Sequence, residues 1–503
     1  MVLVPACARE PIIGPVLFPT KEFTVTLAGV MRLASIRGLR LFESRDEQRL
    51  LVHQLGVVLD QFYVHLPLKE RMLGVRPLEQ VRLLEEELAR DPEDASFREA
   101  LLRLSLGLRD FHTMVDLPEP WSRFTAFLPF QLREYVDASG AVRFLVSGLA
   151  PGADLGGGFV RGVEVTHWNG EPLAHTLQRL AMTTAGANQP ARWRRALASL
   201  TERTLKYALP PDEDVVSLTY LGEKGPAGIQ LPWLVREDGA RPEARRPGCL
   251  SLRSVETAHG TVGYLRIADF FTDDVEGFVR EVERSVRELP GTGLILDLRG
   301  NAGGSIHAAE CLLQLFTSSR IEPALFSLRR TGLTRALCES SGEWSPWRPS
   351  LHSGASSDEV FSQGVPLTPV EQVNGLGRVY TGPVVLLCDA LSYSATELFI
   401  AGFQDHHIGK VLGVDSHTGG GGSRMSWHHL LARAPGSPLR PLARGADIRV
   451  ALLRSTRVGA KRGVPLEGLG VEVDVLHGYT RDDVLHGDVE LLNRAARVLT
   501  ERA

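Results

Sequence analysis

The order of apolar and polar positions divides the chain into three rhythms. From about residue 23 to residue 109 the period is helical. Leu50, Leu51, Leu55, Val58 and Leu59 share one face, with polar residues between them. Phe97, Ala100, Leu101, Leu104 and Leu108 form a second stripe, with Asp94 or Ser96 expected to cap its helix. That helix runs into Leu108-Arg109-Asp110-Phe111-His112-Thr113, and Pro118 and Pro120 then end the regularity.

The second rhythm is strand-like. Short runs over 125–130 and 142–146 lead to a strand over 159–172 that closes on Asn169-Gly170, a hairpin signal. A helix over 173–182 and a strand over 215–221 follow. Residues 222–247 turn to Gly, Pro and charge around Trp233, and read as a loop-rich connection. From Gly263 the third rhythm alternates: strand 263–267, helix 275–289, strand 293–297, helix 306–316. Residues 322–371 read as an irregular insertion. The sheet resumes at Gly382, and the last helix spans 488–502. Alternation of this kind means an α/β domain.

Composition sharpens the picture little. A chain of 503 residues exceeds one ordinary core, and the rhythms place its parts at 1–115, 116–250 and 251–503. Hydrophobic residues at 43% and charged residues at 23% are ordinary for a globular protein, and a net charge of -4 argues against nucleic acid as a main partner. No apolar run approaches the ~20 residues of a membrane span. Residues 1–19 lack a basic start and a continuous apolar run, so they read as mature sequence rather than a signal peptide. Cys7, Cys249, Cys311, Cys338 and Cys388 are widely spaced, with no C-x-x-C. Neither a disulfide framework nor a metal site is indicated, and a cytoplasmic location is expected.

Four stretches carry candidate chemistry. Ser392-Tyr393-Ser394-Ala395-Thr396-Glu397 follows the apolar run 383–388 and precedes Leu398, Phe399 and Ile400. A serine at such a strand-to-helix corner can expose its hydroxyl as a nucleophile; the competing reading is a helix cap, with Ser392 as the neighbouring candidate. Asp297-Leu298-Arg299-Gly300-Asn301-Ala302-Gly303-Gly304 also joins a strand to a helix. Its two glycines can turn backbone N–H groups on a substrate carbonyl, although a plain Gly-rich turn would look the same. A phosphate loop is disfavoured, since no Gly-Lys-Ser/Thr follows. His112 is a candidate general base, with His417, His428 and His429 as rivals. Glu467, between Pro465 and Gly468, could orient such a base or remain a solvated loop acid.

Taken in order, these stretches resemble the carboxyl-terminal-processing (tail-specific) and tricorn-type serine peptidases. The matching strings are 263–267 with Phe270, Asp297 to Gly304, Ser394-Ala395-Thr396-Glu397 with Ala401-Gly402 and Asp405, Thr418-Gly419, and Glu467-Gly468-x-Gly470-Val471. The resemblance implies a crotonase/ClpP-like α/β catalytic domain in a multidomain chain. It also implies an N-terminal helical region and a degenerate PDZ-like β-rich module over 148–170. It implies Ser394 as nucleophile and Ala395 with Gly303 or Gly304 as the oxyanion hole, Gly303 being the first choice. The better-known branch uses a lysine from a Gly-x-Thr-x-Gly-Lys-Gly string. Here that string is Thr418-Gly419-Gly420-Gly421-Gly422, without lysine. The departure favours the branch with an upstream histidine and a downstream glutamate, hence His112 and Glu467. The expected activity is a serine endopeptidase acting on peptides or proteins, with no cofactor and with room for a homo-oligomer. The alternatives are a silent peptide- or ligand-binding protein and a crotonase-like acyl-thioester enzyme.

Overall fold

The structure is a computed structural model that describes residues 29–90, 92–238, 249–352 and 359–501. The readings made on residues 1–19, on residues 23–28 and on Cys7 lie outside them.

Four helices open the described chain: Arg45–Gln61, Leu66–Leu73, Pro77–Leu88 and Asp94–Gly107. The first buries Leu51, Val52, Leu55, Val58 and Leu59, and Ser44 caps it by accepting from Glu47 N–H. The expected cap of the fourth is corrected. Glu93 holds the cap position without a side-chain bond, while Asp94 accepts from Leu41 N–H and Gln48 Nε2 and so ties this helix to the first.

The middle of the chain builds two antiparallel sheets. One runs Gly225–Pro232, Val215–Gly222, Glu164–Trp168, Val142–Leu149, Phe130–Val136, and its Asn169-Gly170 turn returns into Glu171–Pro172 as expected. The other runs Met31–Arg32, Leu234–Glu237, Phe124–Phe127, Glu202–Thr204. The loop expected over 222–247 is therefore corrected for its described part. Gly225–Pro232 pairs along its whole length with Val215–Gly222, Gly225 taking the positive φ that the tight turn requires. Its weakly β-forming composition hid it, with Pro226, Gly228 and Gln230 exposed at every second position.

The C-terminal part carries a six-stranded sheet: Leu250–Thr257, Gly260–Ile267, Leu294–Asp297, Val384–Cys388, Lys410–Gly413, Val475–Leu476. The last five strands are parallel in sequence order. Leu294, Leu296 and Leu386 pack into the main core, while Ile295, Val385 and Leu387 pack on the opposite face with Leu491 and Ala495 of helix Val489–Thr500. Burial on both faces is why these strands read as continuous apolar runs.

A fourth sheet corrects the expected insertion. Leu325–Leu328 lies inside 322–371, yet it pairs with the long strand Asp447–Thr456. Ser423–Trp427 and Met114–Asp116 pair with that same strand. Helix Gly332–Ser340 follows, opened by a Thr331–Thr334 capping box. Among the described residues no helix is long and apolar enough to cross a membrane. The molecule is thus a mixed α/β, multidomain fold. Its sheets cross the boundaries drawn at 115 and 250, since Met31–Arg32 pairs with Leu234–Glu237 and Met114–Asp116 pairs with Asp447–Thr456.

Candidate active site

Strand Val384–Cys388 is wholly buried and ends at Asp389. Asp389 Oδ1 accepts from Leu391 N–H, Ser392 N–H and Gly300 N–H, which ties this corner to the Gly-rich turn. Ser392 is bound up in the same corner, its Oγ donating to Leu298 O at 3.0 Å. Ser394 then adopts φ 59° and ψ -126° before helix Ala395–Asp405. A non-glycine residue held there costs about 1–3 kcal/mol, so the surroundings must impose it. Although Ser394 stands at the cap position, its side chain makes no cap bond. Its Oγ lies 3.0 Å from His112 Nε2.

His112 reaches this point from 282 residues upstream because its flanks are anchored. Met114–Asp116 adds to strand Asp447–Thr456 in the register Met114↔Arg449. Thr113 Oγ1 accepts from Ala451 N–H and donates to Asp110 Oδ2. Asp110 Oδ1 accepts from His112 N–H at 2.8 Å. The imidazole stacks on Tyr393, with ring centroids 4.6 Å apart, and the Arg195 guanidinium covers Phe111 and Tyr393. Burial lowers the pKa of His112 to about 4, with the Arg449 and Arg195 charges adding and Asp110 opposing. The ring is neutral at pH 7. With Ser394 donating to Nε2, its own proton sits on Nδ1. The rivals are engaged elsewhere: His428 with Gln54, His429 with Asp447, His417 with Ser416.

The Gly-rich turn lies against the serine. Asp297 is buried and receives Arg299 and Tyr264, and together they brace the strand end. Asn301 links the two loops. Its Oδ1 accepts from Gly303 N–H and Thr396 Oγ1, and its carbonyl accepts from Tyr393 N–H. A Cβ on Gly303 (φ 104°) would meet Ser394 Cβ at 2.7 Å, and one on Gly304 would meet Phe270 C at 2.3 Å, so both must be glycine. Gly303 N–H is committed to Asn301. Gly304 pairs in parallel with Phe270, which bonds Gly303 and Ser305 instead. The Gly304 N–H therefore points away from Phe270. Among the described residues nothing accepts from it or from Ala395 N–H.

Glu467 is buried but makes no hydrogen bond to His112. Its Oε1 receives Lys69 Nζ at 2.5 Å, and its Oε2 and His112 Nδ1 have no partner among the described residues. Its Oε2 lies 3.7 Å from His65 Nε2. His65, Asp110 and Glu467 bring one ligand atom each within 4.8 Å of one another, but the Lys69 ammonium already supplies the cationic charge there. Sequence reasoning missed Lys69, Asp110 as a brace, Asn301 and the stacking role of Tyr393. It also left Glu397 without a task. Glu397 accepts from Thr418 Oγ1, Gly420 N–H and Gly421 N–H, and burial raises its pKa to about 7. A lysine at 421 has no room, since a Cβ there would lie 1.8 Å from Tyr393 Cζ. The β-rich middle also reaches the site: Asn188 Nδ2 donates to Thr418 O at 2.7 Å, and Arg194 pairs with Asp415.

Residues 261–439 match the model of peptidase family S41. Among curated proteins no relative matches the sequence. The fold is similar to that of mature CPAF, at 18% identity over 91% of this chain and 97% of that one, with TM-score 0.68. It is likewise similar to mature CPAF complexed with lactacystin, at 17% identity, 91% and 99% coverage and TM-score 0.67. The class is a serine-type peptidase. The resemblance is to the S41 peptidases.

Proposed function

We propose that the protein is a serine endopeptidase that cleaves peptide or protein substrates through an acyl-enzyme on Ser394. The 3.0 Å approach of Ser394 Oγ to His112 Nε2 carries this reading. His112, neutral and buried, takes the Ser394 proton as Oγ attacks the carbonyl carbon. The N–H groups of Ala395 and Gly304 receive the oxyanion, and Gly303 serves by letting the turn close on Ser394. One such donor is worth about 3 kcal/mol of barrier. The imidazolium then gives its proton to the leaving amine, and water reverses the sequence to free Ser394. Glu467 acts at one remove from His112, through the buried charges around it. We assign residues 251–503 as the catalytic part, residues 116–250 as the β-rich module and residues 1–115 as the part that delivers His112. The described cysteines are buried free thiols, which supports a reducing, cytoplasmic setting.

A fluorophosphonate probe tests the reading. Covalent labelling at Ser394 is expected, abolished by Ser394→Ala and reduced at least a hundredfold by His112→Ala. Unchanged labelling of the His112→Ala protein would remove His112 from the mechanism. No labelling of the wild type, together with tight binding of a small ligand such as lactacystin, would favour a silent binding protein.

A further inference from the structure

Lys69 is a buried cation that the serine–histidine pair does not account for. It sits in helix Leu66–Leu73, yet its side chain is only 3% exposed. Lysine is almost never buried without a partner. Two of its hydrogens are accounted for, one by Glu467 Oε1 at 2.5 Å and one by Arg109 O at 3.1 Å. The two acceptors come from opposite ends of the chain. Arg109 has φ 51°, the left-handed bend from which Asp110, Phe111 and His112 project. Glu467 lies in the downstream string.

We propose that Lys69 is a positioning residue of the peptidase site: its ammonium clamps the Glu467 carboxylate to the bend that carries His112, and balances one of the two buried carboxylates behind the imidazole. This rests on the Ser394–His112 reading given above. Asp110 and Glu467 are both fully buried, with oxygens no more than 4.8 Å apart. Without a cation between them, two such carboxylates do not both ionise. Burial alone would raise Asp110, but the Lys69 charge and the His112 N–H hold it below the ordinary carboxylate range. Burial pushes Glu467 up and the Asp110 charge adds to this, while Lys69 opposes both. The other groups facing the pair are His65 on the same helix, Tyr63 before it, His112 and Tyr393 at the serine, Arg454 on the long strand and Glu397 under the Gly-rich loop. Burial lowers the pKa of His65 to about 3, so it stays neutral and cannot replace Lys69 as the cation. The Asp110 charge favours the imidazolium formed when His112 takes the serine proton, and Lys69 keeps the Glu467 carboxylate tied to the bend beside it.

The test is steady-state peptide cleavage by full-length Lys69→Met, a neutral side chain of similar length, with Lys69→Arg beside it. Lys69→Met is expected to lower kcat at least fiftyfold while KM moves less than twofold. The acid limb of kcat/KM is expected to move up by at least one pH unit, because the carboxylate pair holds a proton to higher pH. Lys69→Arg is expected to recover at least tenfold of the loss. A folded Lys69→Met protein with kcat and pH limb unchanged within twofold would overturn the proposal. If Lys69→Met does not fold, the Lys69→Met/Glu467→Gln double variant decides. Activity no lower than that of Glu467→Gln alone supports a clamp acting through Glu467, whereas a further loss of tenfold or more rejects it. Fluorophosphonate labelling of the wild type separates the two readings. His112-dependent labelling with an unaffected Lys69→Met protein sinks Lys69 alone. A wild type that does not label at Ser394 sinks the pair and Lys69 with it.

Discussion

A Cβ built on Gly421 would lie 1.8 Å from Tyr393 Cζ and 2.0 Å from Tyr393 Cε2 and Oη. Tyr393 in turn stacks on His112. The place where the dyad branch of this kind of peptidase carries its lysine is thus filled by the ring that holds the histidine. A lysine side chain at 421 and the stacked Tyr393–His112 pair exclude each other sterically. Gly421→Lys should therefore not create a serine–lysine pair. It should push Tyr393 off the imidazole and slow fluorophosphonate labelling of Ser394 at least tenfold, in line with the cost of overpacking a tight site. The decisive measurement is the Gly421→Lys/His112→Ala double variant. Labelling restored there to the wild-type rate would show the lysine working as the base and would refute the steric argument.

At the scale of elements, the site depends on three residues of edge strand. Met114–Asp116 joins Asp447–Thr456, and Thr113 just before it exchanges bonds with Ala451 N–H and Asp110 Oδ2. Thr113→Val keeps the shape and removes both bonds. It leaves one buried donor and one buried acceptor short of a partner, each costing about 1–3 kcal/mol. The expected result is a folded protein whose thermal midpoint falls by a few degrees and whose cleavage rate falls at least tenfold. A rate unchanged within twofold would mean that the strand register alone places His112. These dependencies mark the limit of sequence reading. Ser394, His112 and the Gly-Gly turn were legible because each lies in a short string with local chemistry. Lys69 was not, since its acceptor Glu467 is 398 residues away and nothing local distinguishes it from an exposed helical lysine. The oxyanion choice was not settled either, because the commitment of Gly303 N–H to Asn301 depends on a side-chain rotamer. Gly225–Pro232 and Leu325–Leu328 went unread for a related reason. Their pairing partners, not their own composition, make them strands.

At the scale of the whole molecule, all three parts of the chain converge on one buried electrostatic centre, and this gives stability a signed dependence on pH. Burial lowers His112 to about 4 and His65 to about 3, below the ordinary value near 6.5. Between about pH 4 and 6.5 the unfolded chain binds protons at these sites and the folded chain does not. Their contribution to the unfolding free energy therefore falls as pH drops through that window, by up to about 1.4 kcal/mol per pH unit for each group. Burial raises Glu397 and Glu310 to about 7, above the ordinary value near 4.5. From about pH 4.5 to 7 the folded chain holds the extra protons, so their contribution falls as pH rises. The two sets oppose each other between 4.5 and 6.5, and single variants separate them. Relative to wild type, His112→Gln should become more stable as pH falls from 6.5 to 4.5, and Glu397→Gln should become less stable over the same range. Asp297 cannot imitate either trend, because the neighbouring Arg299 and Arg266 keep its titration below this window despite its burial. Urea unfolding at half-unit steps of pH measures the differences directly. If the His112→Gln curve runs parallel to wild type, the imidazole titrates alike in both states. The buried neutral base on which the Ser394 mechanism relies would then be absent.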